Sequence, residues 1–190
     1  MGLLGTSNAI IVHGIGGGAS GNWFPWLKRE LEARGCAVAV PQFPPIERHT
    51  LANWREAFAP YEGGINRDTI LVGHSVGVTF LLNVLQELAA PVKACFFVSG
   101  FCSKLGNEEY DAPNRSFLDG SFDWPKILAN GSRFTVLHAD DDPYVPMQNA
   151  RELADNLRVG LMLVPGGGHF MAESGFKAFP LLLEQIRGVL

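Results

Sequence analysis

Short, nearly continuous apolar runs recur along the chain, each bounded by Gly, Pro or charged residues: Asn8–His13, Cys36–Val40, Thr69–Val72, Val92–Val98, Arg133–His138 and Gly160–Val164. Runs of this length and make-up predict strands. Because they do not alternate apolar with polar, they predict strands covered on both faces, as in a parallel sheet. Segments with helical spacing lie between them. Leu27 and Leu31, set among Lys28, Arg29, Glu30 and Glu32, predict a helix ending at Gly35. Thr50 is a candidate N-cap ahead of Leu51, Trp54 and Phe58. Val76 to Ala90 is apolar almost all round and stops at Pro91, which predicts a helix buried against the sheet. Met147 to Arg158 gathers Ala150, Leu153, Ala154 and Leu157 on one face, and Leu181 to Leu190 closes the chain behind Pro180. This alternation predicts the α/β class: a single domain over 1–190 with one open, doubly wound parallel sheet of about six strands and helices on both faces. Gly100 to Trp124 shows no clear period, and so long a connection predicts a functional element, a small cap over a site around 101–124.

Composition narrows the partners. Nearly half of the 190 residues are hydrophobic and 18% are charged, enough apolar material for the core of one domain. The net charge of −4 and the lack of a Lys/Arg cluster argue against nucleic acid and against an anionic membrane surface. A small, uncharged or weakly charged substrate is expected instead. Cys36, Cys95 and Cys102 are odd in number and lack metal-ligand spacing, so they read as reduced thiols in a cytoplasmic protein. Met1 to Asn8 lacks the basic flank of a leader, and glycines break the following apolar stretch well short of the ~18 residues of a span. Gly2 with Thr6 matches the myristoylation pattern, but no polybasic patch follows to complete an anchor.

The chemistry starts at Gly73-His74-Ser75-Val76-Gly77, a G-x-S-x-G sequence standing between an expected strand and an expected helix. A serine there sits on a tight turn that exposes Oγ above the sheet, and Gly73 and Gly77 leave room for strand and helix to approach. The helix N-terminus then faces the negative charge that develops in acyl transfer. The plain alternative is a serine that only caps the helix.

An alkyl hydroxyl needs a general base, and the base needs an orienting acid. Five histidines compete. His13 and His138 end strands and are candidates to line the same mouth, His49 lies in a Pro-rich connection, and His74 is fixed beside Ser75. His169 follows Gly166-Gly167-Gly168 after the last expected strand and comes last, as the order serine, acid, histidine requires. Asp140, Asp141 and Asp142 follow the strand ending at His138, at the carboxyl end where ligands gather in open α/β sheets. Asp142-Pro143-Tyr144-Val145-Pro146 looks like the acid turn of α/β-hydrolases, so Asp142 is the first choice and Asp141 the second; Asp140 fits a solvated turn. Carboxylates and histidines without ligand spacing give no metal centre.

His13-Gly14-Ile15-Gly16-Gly17-Gly18 resembles the HGGG-type oxyanion loop, with backbone N–H groups of Ile15 and Val76 converging on a substrate oxygen. Gly14, Gly16 and Ala19 also fit a dinucleotide fingerprint. That motif needs a helix inside the glycines and an acid about 20 residues on, yet Ser20 to Pro25 is turn-like and Ala37 to Pro45 holds no acid. No cofactor is expected.

Taken in order, Gly16-Gly17-Gly18, Asn22-Trp23-Phe24-Pro25-Trp26-Leu27, the Ser75 pentapeptide, Asp141-Asp142-Pro143 and Gly168-His169-Phe170 resemble the small serine hydrolases related to retinoblastoma-binding protein nine and YdeN. The resemblance implies a reduced α/β-hydrolase fold with six parallel strands, a triad of Ser75, Asp142 and His169, and esterase- or amidase-like activity. The chain departs from that pattern at His13 and in the middle insert. Trp23, Trp26, Phe101, Trp124, Tyr144 and Phe170 are candidates for an apolar pocket. The other function class is a protein-interaction module that keeps the fold with weak or vestigial hydrolysis.

Overall fold

The apolar runs assemble into one sheet in the computed structural model, which describes residues 7–190. Its strands are β1 (Asn8–Val12), β2 (Ala37–Ala39), β3 (Thr69–His74), β4 (Ala94–Val98), β5 (Phe134–Ala139) and β6 (Leu161–Val164), all parallel in the order β2-β1-β3-β4-β5-β6. The Gly2/Thr6 pattern lies outside the described residues. Strand pleating splits the core in two. Ala9 and Ile11 of β1 join one cluster with Phe24, Leu27 and Leu31 of α1 (Phe24–Glu32) and Leu182 and Ile186 of α7 (Pro180–Arg187). Ile10 and Val12 join the opposite cluster, built on Trp54 and Phe58 of α2 (Leu51–Glu62), the apolar side chains of α3 (Val76–Leu85), and α6 (Met147–Asn156) through Leu153 and Ala154. Helices therefore cover both faces.

Element ends move for identifiable reasons. Thr50 caps α2 as expected, its Oγ1 accepting from Asn53 N–H at 3.2 Å. α3 stops at Leu85 rather than running to Ala90, because Asn130 Nδ2 donates to the carbonyls of Leu85 and Leu88 at 2.8 and 2.9 Å. α1 ends at Glu32, and Gly35 at φ 82° turns the chain into β2.

The aperiodic middle holds a helix that periodicity misses, α4 (Glu108–Leu118), and a second, α5 (Trp124–Asn130), begins where the stretch ends. The buried stripe of α4 is Asp111, Asn114 and Phe117, two polar residues out of three. Asp111 accepts from Leu105 and Gly106 N–H at 2.6 and 3.1 Å. Asn114 Oδ1 accepts from His49 Nε2–H at 3.1 Å, Ser116 Oγ from Leu51 N–H at 3.0 Å, and the Phe117 carbonyl from Asn83 Nδ2 at 3.0 Å. Among the described residues, no helix is long and apolar enough to cross a membrane.

Candidate active site

The chain leaves β1 for β2 on one side and continues through β3 to β6 on the other, so the strand order reverses beside β1 and β3. Crevices at such reversals, beyond the carboxyl ends of the strands, are where open α/β sheets bind ligands. Ser75 stands at that end of β3 with φ 57° and ψ −131°, a left-handed backbone that strains a residue with a side chain. Packing holds it there. Its N–H donates to the Val98 carbonyl at 2.9 Å, and its own carbonyl accepts from Val78 N–H at 2.9 Å. A Cβ on Gly77 would lie 2.6 Å from the Val12 carbonyl oxygen, so only glycine lets α3 close over β1. Gly73 meets the Val78 backbone at 3.0 Å in the same way, and Gly14 meets Ser75 Cβ at 3.0 Å. Val76 is the first residue of α3, so its N–H lacks a helical partner.

The glycine loop is fixed from behind. His13 Nδ1–H donates to the Gly14 carbonyl at 2.7 Å and its Nε2 accepts from Phe43 N–H at 3.2 Å, which sets the tautomer and turns the ring into the core, against Phe43 and Trp54. His13 does not line the cavity in front of Ser75, and neither does His138, contrary to the expectation from their strand ends.

The three aspartates divide one task. Asp140 Oδ1 accepts from Gly166 N–H at 2.9 Å, Asp141 Oδ1 from Gly168 N–H at 2.7 Å, and Asp142 takes His169 Nδ1–H on both oxygens, at 3.0 and 2.8 Å. Asp142 Oδ1 also accepts from Tyr144 and Val145 N–H, at 2.9 and 3.0 Å, and Oδ2 from Ser99 Oγ–H at 2.6 Å. Burial pushes its carboxyl up, but His169, Ser99 and the Val145 N–H outweigh burial and leave it below its ordinary value. His74 Nε2–H donates to the His169 carbonyl at 2.8 Å, and burial, with His169 beside it, pushes the His74 imidazole down to about 3. His74 is thus a neutral tie between the serine turn and the histidine loop. Sequence reasoning missed Ser99; its only signal is a polar residue directly after an apolar strand, next to the serine's own strand.

Ser75, His74 and His169 border a cavity of about 820 Å³, walled by the Gly14–Gly18 loop with Ile15, by Phe101 and Tyr144, and by α4 through Glu109, Tyr110, Pro113 and Asn114. No hydrogen bond joins Ser75 Oγ to His169 among the described residues; the two share the cavity. Of the expected pocket aromatics only Phe101 and Tyr144 line it. Trp23 and Phe170 are instead fully buried, with Trp23 Nε1–H donating to the Phe170 carbonyl at 3.1 Å, and Trp26 packs against the same core cluster. Trp124 begins α5 and lines a separate groove with Leu128 and Arg158. Large aromatics fill cores and cavities alike, and spacing alone does not separate them.

With this geometry in place, similarity to known proteins gains weight. The family model described as Serine hydrolase matches residues 9–187. YdeN of Bacillus subtilis (strain 168) is 30% identical over 185 residues, covering 94% of each chain, and serine hydrolase RBBP9 of Rattus norvegicus is 30% identical over 169 residues, covering 86% of this chain and 87% of its own. The crystal structure of the B. subtilis ydeN product superposes with a TM-score of 0.90 over 97% of this chain and 98% of that one, at 30% identity. The structure of esterase PE8 shares the fold with a TM-score of 0.65 at 19% identity, covering 97% and 93%. Six parallel strands, a serine on a strained strand-to-helix turn and these matches lead to one conclusion: the chain belongs to the serine hydrolase family.

Proposed function

We propose that the chain hydrolyses a small carboxylic ester, thioester or amide through an acyl-enzyme on Ser75. The observation that carries this reading is the Asp142–His169 pair, opening on the cavity that also holds Ser75. His169 Nε2 takes the Ser75 proton as Oγ attacks the carbonyl carbon, and the Ile15 and Val76 N–H groups receive the oxyanion. His169 then returns the proton to the leaving group, and water releases the acid by the same steps in reverse. Asp142, held ionised, orients His169 and stabilises its cation.

The cavity wall favours a neutral or cationic substrate. Glu109 and Glu173 border it, and no Lys or Arg does among the described residues. An anionic acyl group would meet repulsion without a partner. Three buried, unpaired thiols fit the cytoplasm as the compartment, and the lack of a basic face fits a small-molecule substrate rather than nucleic acid. A fluorophosphonate probe is expected to label the wild type and not Ser75→Ala. p-Nitrophenyl butyrate is expected to turn over at least about tenfold faster than p-nitrophenyl hemisuccinate. Label that persists in Ser75→Ala, or a wild type that resists it, defeats the acyl-enzyme reading; preference for the hemisuccinate defeats the substrate reading alone.

A further inference from the structure

Asp142 is held by more than its histidine, and the neighbour that the family reading leaves without a role is Ser99. It follows β4, beside the strand that carries Ser75, and has no exposed surface. Its backbone sits at φ 46°, where glycine is at ease and a serine is strained. Neighbours impose that conformation. Ser99 N–H donates to the Leu137 carbonyl at 3.0 Å, and the next residue, Gly100, is so close to Val78 that a Cβ would lie 2.6 Å from it. Glycine would meet the same backbone without strain, and what it would lose is the hydroxyl. That hydroxyl donates to Asp142 Oδ2 at 2.6 Å, the oxygen nearer His169 Nδ1. On the same oxygen, His138 Nδ1 approaches to 3.9 Å but carries no proton, because His138 Nε2–H is the donor to the Val145 carbonyl. His138 Nδ1 is buried without a partner. Ser99 is therefore the only side chain besides His169 that donates a proton to Oδ2 among the described residues.

We infer that Ser99 is a positioning residue for hydrolysis: its hydroxyl on Oδ2, together with the Tyr144 and Val145 N–H groups on Oδ1, fixes the plane of the Asp142 carboxylate, which holds His169 with Nε2 aimed at the cavity. The inference rests on the reading of Ser75, Asp142 and His169 as the triad. Without the hydroxyl, Oδ1 is still held by the Tyr144 and Val145 N–H groups, but Oδ2 keeps His169 as its one donor and the carboxylate loses a fixed point on the side that faces the imidazole.

The test compares wild type, Ser99→Ala, Ser99→Gly, Asp142→Ala and the Ser99→Gly/Asp142→Ala double variant on p-nitrophenyl butyrate. Thermal melts and the low-field NMR resonance of the His169 Nδ1 proton are followed in parallel. Both Ser99 variants are expected to lower kcat roughly ten- to a hundredfold with KM within about twofold, since a hydrogen bond to a charged group is lost without touching substrate. Ser99→Gly, relieved of strain, is expected to melt at or above Ser99→Ala, and both are expected to shift or broaden the low-field resonance. In the double variant, loss of Ser99 is expected to add nothing to loss of Asp142. Wild-type kcat in Ser99→Gly, or losses that multiply across the cycle, overturns the inference while a crippled Asp142→Ala keeps the triad. Wild-type activity in Asp142→Ala overturns the triad and the inference together.

Discussion

The serine turn and the histidine loop hold their residues by opposite means. Ser75 is placed by backbone: two main-chain hydrogen bonds, and glycines at 73 and 77 that let helix and strands close to contact. His169 is placed by side chains. Asp140, Asp141 and Asp142 take up Gly166, Gly168 and His169 in turn, His74 holds the His169 carbonyl, and Asn22 Oδ1 accepts from Ala172 N–H at 2.9 Å. Ser75 thus depends on the sheet and its packing, whereas His169 depends on a set of polar contacts that substitution can remove one at a time.

The largest test of that contrast lies within the aspartate run. Asp142→Asn is expected to lower kcat by roughly 10³- to 10⁴-fold, because an amide cannot stabilise the imidazolium and favours the wrong tautomer. Asp141→Asn keeps a carbonyl oxygen for Gly168 N–H and is expected to cost only about two- to threefold. Steady-state kinetics on one ester check both, and equal losses would erase the division of labour among the three. Next in size is Gly77→Ala. Its methyl meets main-chain oxygen at 2.6 Å, and the expected cost is roughly 1–3 kcal/mol of stability, read as a lower denaturation midpoint, together with slower labelling of Ser75. An unchanged midpoint would show that packing does not fix the turn.

A last test, read as a pH slope, joins the two regions. Burial keeps His13, His49, His74 and His138 below their ordinary values, His74 at about 3. The unfolded chain takes up these protons near pH 6.5 and the folded chain resists, so this stability is complete above pH 6.5 and is lost as pH falls from there toward 3. Asp142, held below 3.8, adds a loss in the same direction at more acid pH. Each such histidine contributes a slope of up to about 1.4 kcal/mol per pH unit within its window. Melting between pH 7 and pH 5 is expected to show this fall, with a shallower slope in His74→Gln; a flat profile in the wild type would contradict buried neutral imidazoles.

These contrasts also explain what could be read in advance. The inner strands are legible because burial on both faces leaves apolar runs such as Thr69 to Val72, the edge strands β2 and β6 because they stay apolar although part exposed, and Ser75 because its turn needs glycines at set places. Asp142 and His169 follow from their place after β5 and β6. α4 is illegible because its buried stripe carries Asp111, which holds the 105–106 backbone just ahead of the helix, and Asn114, whose partner His49 lies 65 residues back, and because Pro113 sits within it. Ser99 is hidden for the same reason: its partner Asp142 lies 43 residues on. Polar side chains that satisfy one another across the fold leave no periodic trace.

The way α4 is attached has a consequence for what enters the cavity. Its hydrogen bonds run to His49, Leu51, Asn83 and the 105–106 backbone, and none reaches Ser75, Asp142 or His169; its link to His169 is the aromatic relay Tyr110–Tyr144–His169, with ring centroids 5.7 and 5.0 Å apart. One wall of the cavity is therefore anchored to the core apart from Ser75, Asp142 and His169. On the proposed function, substitutions on the cavity face of that single helix would change which molecules enter while Ser75, Asp142 and His169 keep their places.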